Sequence, residues 1–427
     1  MKKDFKFIDL FAGIGGFHQA MSQLGGKCVF AIEINHDTAK TYMENYGMSN
    51  VEGDITNVDL NKIPDHDVLC AGFPCQPFSK AGKQKGFNDE RGTLFFQIIK
   101  ILKNQIMRSY AGPRFLILEN VRNLLSHDNG NTWNKMKEEL INIHYNVIEQ
   151  PVLVSPHDFC VPQLRDRAII LAVRSDYFNE PIKPIDLNIK HRKRNLLNIH
   201  SFLLNCNEQE YDLSKYALSQ YEEKVLHMWD EFIKGINKKI IGFPIWSDWF
   251  NMHKTIPNDC SNWKSDFIKK NRKLYLENKT FIDKWLKKYD FLSWVKPTDK
   301  KFEWQVEGKI KSVFDGIIQF RPSGIRVKQP TECPTLVAIS HIPIVSINGQ
   351  HRYITPREAA YLQSFPSTFK IPDSDRLAYK QFGNAVNVKV IKNVFKKFEE
   401  IIEKYKKIKK NFKTKQGVES IWRMKFN

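Results

Sequence analysis

Val68-Leu69-Cys70-Ala71-Gly72-Phe73-Pro74-Cys75-Gln76-Pro77-Phe78-Ser79 is the stretch that decides how the chain is read. Its first four residues are a short apolar run, which reads as a buried strand. A turn follows at once. Pro74 fixes its own φ and biases Phe73 toward extended backbone, and Pro77 does the same one step on. Cys75 thus stands on a stiff turn just past the C-terminal end of a strand, the edge at which open α/β sheets bind ligands. Taken alone, such a cysteine reads as a buried structural thiol. Its neighbours along the chain change that reading.

Upstream, Phe5–Leu10 reads as a strand, followed by Phe11-Ala12-Gly13-Ile14-Gly15-Gly16-Phe17 and a helical pattern through Leu24. Glycines in such a turn let backbone approach a ligand, and the helix start offers unpaired N–H groups. A second strand, Cys28–Ile32, ends at Glu33. This is where a nucleotide-binding α/β unit presents an acid to ribose hydroxyls. The glycines do not follow GxGxxG, so no pyrophosphate is required, and a nucleoside such as S-adenosylmethionine suits the site. A plain tight turn is the competing reading of the same glycines. A helix near His36–Tyr46 comes next, then Asp54 and Ile55, where the acid could accept a bond from an adenine amino group.

Downstream, Ser79–Gly92 is polar, glycine-punctuated and basic at its start, the composition of a mobile active-site loop or of an ordinary solvated connection. Thr93–Lys103 is an amphipathic helix. Phe115–Leu118 is a strand ending at Glu119-Asn120-Val121, and a carboxylate at a strand end is a candidate acid or hydrogen-bond partner. Val161–Arg167 opens the last strand of this half, Ala168–Val173. Arg165 and Arg167 alternate with Leu164 and Asp166, so both point to one face, with Asp166 available to neutralise them.

The totals set bounds. A chain of 427 residues suggests two domains. Without about 18 consecutive apolar residues, no transmembrane helix is expected. The N-terminus enters a strand with no signal-peptide core. Seven scattered cysteines without a CxxC pair predict neither a disulfide framework nor a zinc site, and no metal is expected. A reducing cytoplasm fits. The net charge of +19 is unevenly spread: residues 1–174 carry 20 basic and 19 acidic side chains, so nearly all the excess lies beyond them. That asymmetry suggests a polyanionic partner, although a solvated lysine-rich surface would look the same.

In the second half, 181–188 reads as a linker, and Asn195–Leu204 and Tyr216–Lys234 have helical spacing. Seven of the nine tryptophans fall between Trp229 and Trp304, with lysines interleaved. Such interleaving can mark nucleic-acid contact, but a small aromatic core with lysines outside explains most of it. Thr355-Pro356 reads as the N-cap and first residue of a helix. A closing helix is expected at about Asn387–Tyr405, then a frayed basic end at Lys406–Lys415.

Taken together, the chain resembles the DNA cytosine-5 methyltransferases of bacterial restriction-modification type. FAGIGGF, GFPCQPFS, RGTLFF, LENVRNL, QLRDR, RPSGIR with CPTL, and QFGNAV appear in the family's order, covering about 5–175 and 319–395. The resemblance implies a doubly wound, Rossmann-like α/β sheet binding S-adenosylmethionine, with a second, smaller target-recognition domain. It implies a catalytic domain over 1–180 completed by 375–405, a recognition domain over 181–350, a return segment over 351–405 and a basic tail over 406–427. Cys75 would be the nucleophile, Glu119 would hold the cytosine edge, and Arg165 and Arg167 would organise that site. Phe11, Gly13, Ile14, Gly16, Glu33, Asp54, Ile55, Pro74, Leu94, Asn384 and Val386 match cofactor-contacting positions. Two positions depart from the pattern that the resemblance implies: Cys160 stands in place of a glycine, and Phe365 in place of a tyrosine that some relatives use.

The expected partner is double-stranded DNA, with a cognate restriction endonuclease acting on the same site, no membrane, and a monomeric state. Other readings stay open: a transfer RNA cytosine-5 methyltransferase of the same fold, a non-catalytic DNA-binding homologue, and a nicotinamide dehydrogenase resting on the glycine turn and Glu33 alone.

Overall fold

The computed structural model describes residues 4–49, 51, 53–74, 94–109, 112–182, 197–204, 212–236, 241–336 and 341–425, with side chains described to residue 409 in the last segment. Cys75 and 79–92 lie outside the described residues, as does most of 181–188.

Strand β1 (Phe5–Leu10) leads through the glycine turn into α1 (Gly16–Ser22), β2 (Gly26–Ile32) and α2 (His36–Tyr46). The Asn35 side chain caps α2 by accepting from the Thr38 N–H at 3.0 Å, and Gly47 ends it with a φ of 64°. Then come β3 (Val68–Ala71), α3 (Leu94–Ser109), β4 (Phe115–Val121), α4 (Asn131–Asn142), β5 (Tyr145–Val147), β6 (Val152–Val154), β7 (Gln163–Leu164) and β8 (Arg167–Arg174). The main sheet runs β2-β1-β3-β4-β8-β5, with β6 also on β8. Its β2-β1-β3-β4 part is parallel, and β8, β5 and β6 join antiparallel.

A parallel sheet covered on both faces needs strands apolar on both sides. Phe115 and Ile117 of β4 and Ile169 and Leu171 of β8 face one core, which also holds Phe17 and Met21 of α1. Leu116, Leu118 and Ile170 face the other, with Phe95 and Ile98 of α3 and Trp133 and Met136 of α4. The sheet is therefore doubly wound, as the sequence predicts.

The chain continues through α5 (Ile199–Leu204), α6 (Gln220–Gly235), β9 (Ile245–Trp246), α7 (Asn262–Glu277), α8 (Lys279–Lys288), β10 (Lys301–Gln305), β11 (Ile317–Arg321), β12 (Gly324–Lys328), β13 (Cys333–Pro334), β14 (Ile344–Ile347) and β15 (Gln350–Tyr353). A second sheet runs β15-β14-β11-β12-β10-β9. Trp229, Phe232, Trp285 and Phe302 form its core with α6 and α8. Trp229, Trp285 and Trp304 are buried while Trp263 is 61% exposed, so the tryptophans are mostly core.

The last elements are α9 (Pro356–Leu362), α10 (Asp375–Asn384) and α11 (Val388–Lys425). Thr355 caps α9 in a capping box with Glu358. Asn387 caps α11, accepting from the Val390 N–H at 3.1 Å. Helix α11 runs past Tyr405 to Lys425, so the stretch expected to fray is helical. Its Ile391, Val394, Phe395, Phe398 and Ile402 complete the core on the α1 face of the main sheet. The end of the chain thus closes a core that its beginning cannot close alone. Other links hold this return: Asn45 and Lys370 exchange two hydrogen bonds, and the Gln381 amide donates to Thr41 Oγ1 at 3.0 Å.

Candidate active site

The chain leaves β1 to build β2 on one side and returns to build β3 on the other. At this switch point the connections diverge and leave a crevice at the strands' C-terminal ends. Both motif turns meet there: the glycine turn after Leu10 and the Gly72-Phe73-Pro74 turn after Ala71. The Gly72 N–H donates back to the Leu10 carbonyl at 3.3 Å.

The glycine turn is wound into left-handed backbone at Phe11 (φ 57°), Gly13 (φ 56°) and Gly15 (φ 84°). A side chain at Gly15 would collide with the Tyr46 ring. Glu33 holds the turn in place. Its Oε2 accepts from the Gly13 N–H and its Oε1 from the Asn35 N–H, both at 2.8 Å. Burial pushes the Glu33 carboxyl above its usual range, and those two N–H groups draw it part of the way back.

A cavity of about 460 Å³ opens at this crevice. Phe11, Gly13 and Glu33 line it beside Asp54 and Ile55, with Pro74, Leu94 and Asn384 on other walls. Glu119, Arg165 and Arg167 reach it as well. A volume in the range of about 300–1,000 Å³ is that of small-molecule sites. The walls suit an adenosyl group: apolar faces for a flat ring, and carboxylates for hydroxyl and amino hydrogens. Each Glu33 oxygen keeps acceptor capacity beyond its single backbone bond.

Glu119 lies near the end of β4, 8% exposed. Its Oε1 is 2.7 Å from Arg167 Nε, at the start of antiparallel neighbour β8. A buried carboxylate is tolerated there because a guanidinium faces it. Next to it, the Asn120 amide donates to the Phe73 carbonyl at 3.3 Å, tying the end of β4 to the residue before Pro74. A Cβ added at Gly72 would press on a Val386 methyl at 3.3 Å and meet Glu119 Oε2 at an ordinary 3.9 Å, so this turn packs against the return segment.

Arg165 does different work from Arg167. It is 4% exposed, and its guanidinium donates to the carbonyls of Gly383 (2.8 Å) and Ala385 (3.0 Å). It therefore bolts the link between α10 and α11 to the cavity wall. Asp166 does not neutralise either arginine's guanidinium; it pairs with Arg122 Nη1 at 3.2 Å.

Three residues read as cofactor contacts do not line this cavity. Ile14 is 1% exposed within the core on the α1 face. Gly16 is where α1 meets the return segment, and a Cβ there would come within 2.3 Å of the Val386 carbonyl oxygen. Val386 lines a small adjoining hollow with Glu119, Arg165 and Arg167. Phe365 also lies away from the cavity, 2% exposed and packed against Phe369 and Phe382. Cys160 has a φ of 61°, the left-handed geometry that explains a preference for glycine there. Sequence reasoning missed Ile34, an apolar residue 72% exposed on the cavity edge directly after Glu33. Its signal was an isoleucine at a strand end before a polar helix cap.

The fold gives the class. The crystal structure of S. pombe Dnmt2 methyltransferase is similar over 93% of this chain and 99% of its own, with a TM-score of 0.52 at 19% identity. The Entamoeba histolytica methyltransferase EhMeth gives the same score over 94% and 99% at 16% identity. At such identities the likeness is one of fold: the Rossmann-like methyltransferase sheet with a second, smaller sheet domain.

Sequence gives the family. The profile of the C-5 cytosine-specific DNA methylases matches residues 5–400. The Type II methyltransferase M.HgiCI of Herpetosiphon aurantiacus is 33% identical over 91% of this chain and 96% of its own. M.HhaI of Haemophilus parahaemolyticus is 30% identical over 91% and 92%. The chain belongs to the C-5 cytosine-specific DNA methylase family and is a DNA cytosine-5 methyltransferase.

Proposed function

We propose that the chain methylates C5 of a flipped-out cytosine in a short duplex sequence, through a transient bond between Cys75 and C6, as the modifying half of a restriction-modification system. The observation that carries this reading is the Glu119–Arg167 pair on the wall of a nucleoside-sized cavity, beside the backbone that leads into Cys75.

A thiol suits the first step because its thiolate is strongly nucleophilic even as a minor fraction near neutrality. The Cys75 sulfur adds to C6, and the electron pair of the C5–C6 bond moves to C5. As the ring loses aromaticity N3 takes up a proton, Glu119 accepts from that N3–H and from the exocyclic amine, and Arg167 fixes the direction of the carboxylate. S-adenosylmethionine, when bound, supplies an electrophilic methyl group on a sulfonium sulfur. Glu33 takes the ribose hydroxyls, Asp54 the adenine amino group, and Ile34 and Leu94 cover the ring. Phe11, Gly13, Ile55, Pro74 and Asn384 shape the remaining wall. Ile14, Gly16 and Val386 support that wall from behind. Loss of the C5 proton then expels the Cys75 thiolate.

Extracting the base from the duplex costs a few kcal/mol, which phosphate contacts from the basic half of the chain offset. No helix among the described residues is long and apolar enough to cross a membrane. A cytoplasmic monomer working beside a nuclease of the same specificity completes the proposal.

A duplex carrying 5-fluorocytosine tests it, because a C5 fluorine cannot leave as a proton does. With the methyl donor present, the protein should become covalently attached through Cys75, as peptide mapping would show. No adduct, or an adduct that persists in Cys75→Ser, overturns the mechanism. Methyl label appearing in transfer RNA and not in duplex DNA would favour the other polynucleotide.

A further inference from the structure

Glu223 and His227 lie one turn apart on the same face of α6. His351 reaches them from β15, across the second sheet domain. One ligand atom from each residue lies within 4.8 Å of the other two. None of the three lines the methyl-transfer cavity, and nothing in the chemistry above uses them.

The surroundings hold the two imidazoles in place and leave a buried nitrogen of His351 without a partner among the described residues. The His351 ring stacks on Phe314 at 4.0 Å between centroids, and the His227 ring leans on the same phenyl at 4.8 Å. His227 Nε2 is 3.7 Å from Glu223 Oε2, beyond a hydrogen bond. The Nδ1 of His351 is buried with no hydrogen-bond partner among the described residues. The adjacent acids are engaged elsewhere: Asp230 accepts from Ser312, Val313 and Lys234, and Glu222 from Ser219 and Tyr353. Glu223 is left facing the two rings.

Two imidazoles and a carboxylate select borderline divalent ions of the zinc type over magnesium or calcium, which require mostly oxygen. Ligands about 2.0–2.1 Å from a tetrahedral ion stand about 3.4 Å apart. Rotations of the Glu223 and His227 side chains on α6 would close the present gaps of up to 4.8 Å toward His351 on β15. The benefit to the fold is local. Among the described residues the β14–β15 hairpin pairs with β11 where Ile344 faces Ile318 and with the segment before α6 where Arg352 faces Ala217, short attachments for an edge element.

We propose that Glu223, His227 and His351 form a three-ligand site for a zinc-type divalent ion that staples α6 to the β14–β15 hairpin. The sequence carries no CxxC pair to signal a metal, whereas this set joins a helix to a strand far along the chain.

The full chain, stripped with chelator, is titrated with zinc chloride by calorimetry. One equivalent should bind, and zinc but not magnesium should raise the unfolding temperature. Cobalt(II) should give tetrahedral d–d bands without thiolate charge transfer, which separates this site from the free cysteines. His351→Ala and His227→Ala should each weaken zinc binding about 100-fold or more. His227 is 63% exposed in its side chain, so its variant stays folded even if the other does not. Failure to bind one equivalent, a thiolate signature, or binding kept in either folded variant overturns the proposal.

Discussion

The two sheets of this protein solve different problems, and their sequences show it. The main sheet is nearly neutral over residues 1–174 and places its chemistry where β1, β3 and β4 end. The second sheet, in the basic half, spends its aromatic residues on its own core, with Trp229 stacked on Phe302 at 4.7 Å and Trp285 packed against Phe232 at 4.9 Å. The first gathers functional groups at one cavity; the second packs its aromatic side chains into a core of its own. The lesson is that motifs mark the places where side chains converge on a site, while a domain without such motifs leaves only charge and packing in the sequence.

The sharpest break in that comparison is Cys75→Ser. Turnover should fall about 10,000-fold or more, with DNA binding retained, measured by methyl transfer and by gel shift on the same duplex. Residual activity near wild type would remove the distinction between a sheet that carries the chemistry and one that does not.

In the second sheet the largest effect should be on stability. Trp285→Ala should cost about 3–5 kcal/mol, because the ring is 1% exposed among aromatic neighbours. Trp263→Ala should change stability by no more than about 0.5 kcal/mol. Denaturant unfolding checks both, and a large loss at Trp263 would mean that the lobe's core is misassigned.

Within the first sheet, Arg167→Ala should lower turnover about 100-fold or more by releasing the Glu119 carboxylate. Arg165→Ala should instead act on folding, through the lost bonds to Gly383 and Ala385, at about 2–4 kcal/mol. Identical kinetic and stability profiles for the two variants would refute the division of labour between them.

The effect that shows only as a dependence on pH lies beneath the glycine turn, where Asp9 and His18 are buried together beside Tyr42, Tyr46, Cys28 and Glu33. Burial pushes Asp9 well above its ordinary range and His18 down to about 4. Between about pH 4 and 6.5 the unfolded chain binds a proton on His18 that the native state refuses, so His18 alone makes stability rise with pH. Native Asp9 keeps a proton that the unfolded chain releases, so Asp9 alone makes stability fall with pH. The two slopes oppose each other. Asp9→Asn should expose the His18 slope, losing at most about 3 kcal/mol as pH drops through that window. Urea unfolding at a series of pH values reads it directly, and an unchanged profile would sink the assignment.

Much of the first sheet was legible because its signals are local. Apolar runs bounded by Gly and Pro gave β1, β3 and β4, and the distance from Gly13 to Glu33 reflects one helix and one strand. Thr355 and Pro356 announced α9 for the same reason. Arg165 was harder. Its alternation with Arg167 predicted a shared face, and both do reach the cavity. Yet one guanidinium meets a carboxylate on the neighbouring strand and the other meets carbonyls more than two hundred residues on. Strand periodicity gives a direction for a side chain but not what stands in front of it.

What the sequence determined by itself was therefore the order of elements, the two motif turns and the chemical kind of each reacting group, since those follow from backbone stereochemistry and side-chain identity within a few residues. Only the tertiary structure decided that α11 closes the core begun by β1, that Ile14 and Gly16 pack behind the cavity, and that Glu223, His227 and His351 converge. Each of these depends on which distant surfaces fit together with the least exposed apolar area and the fewest unpaired polar groups, and that competition is settled over the whole chain at once.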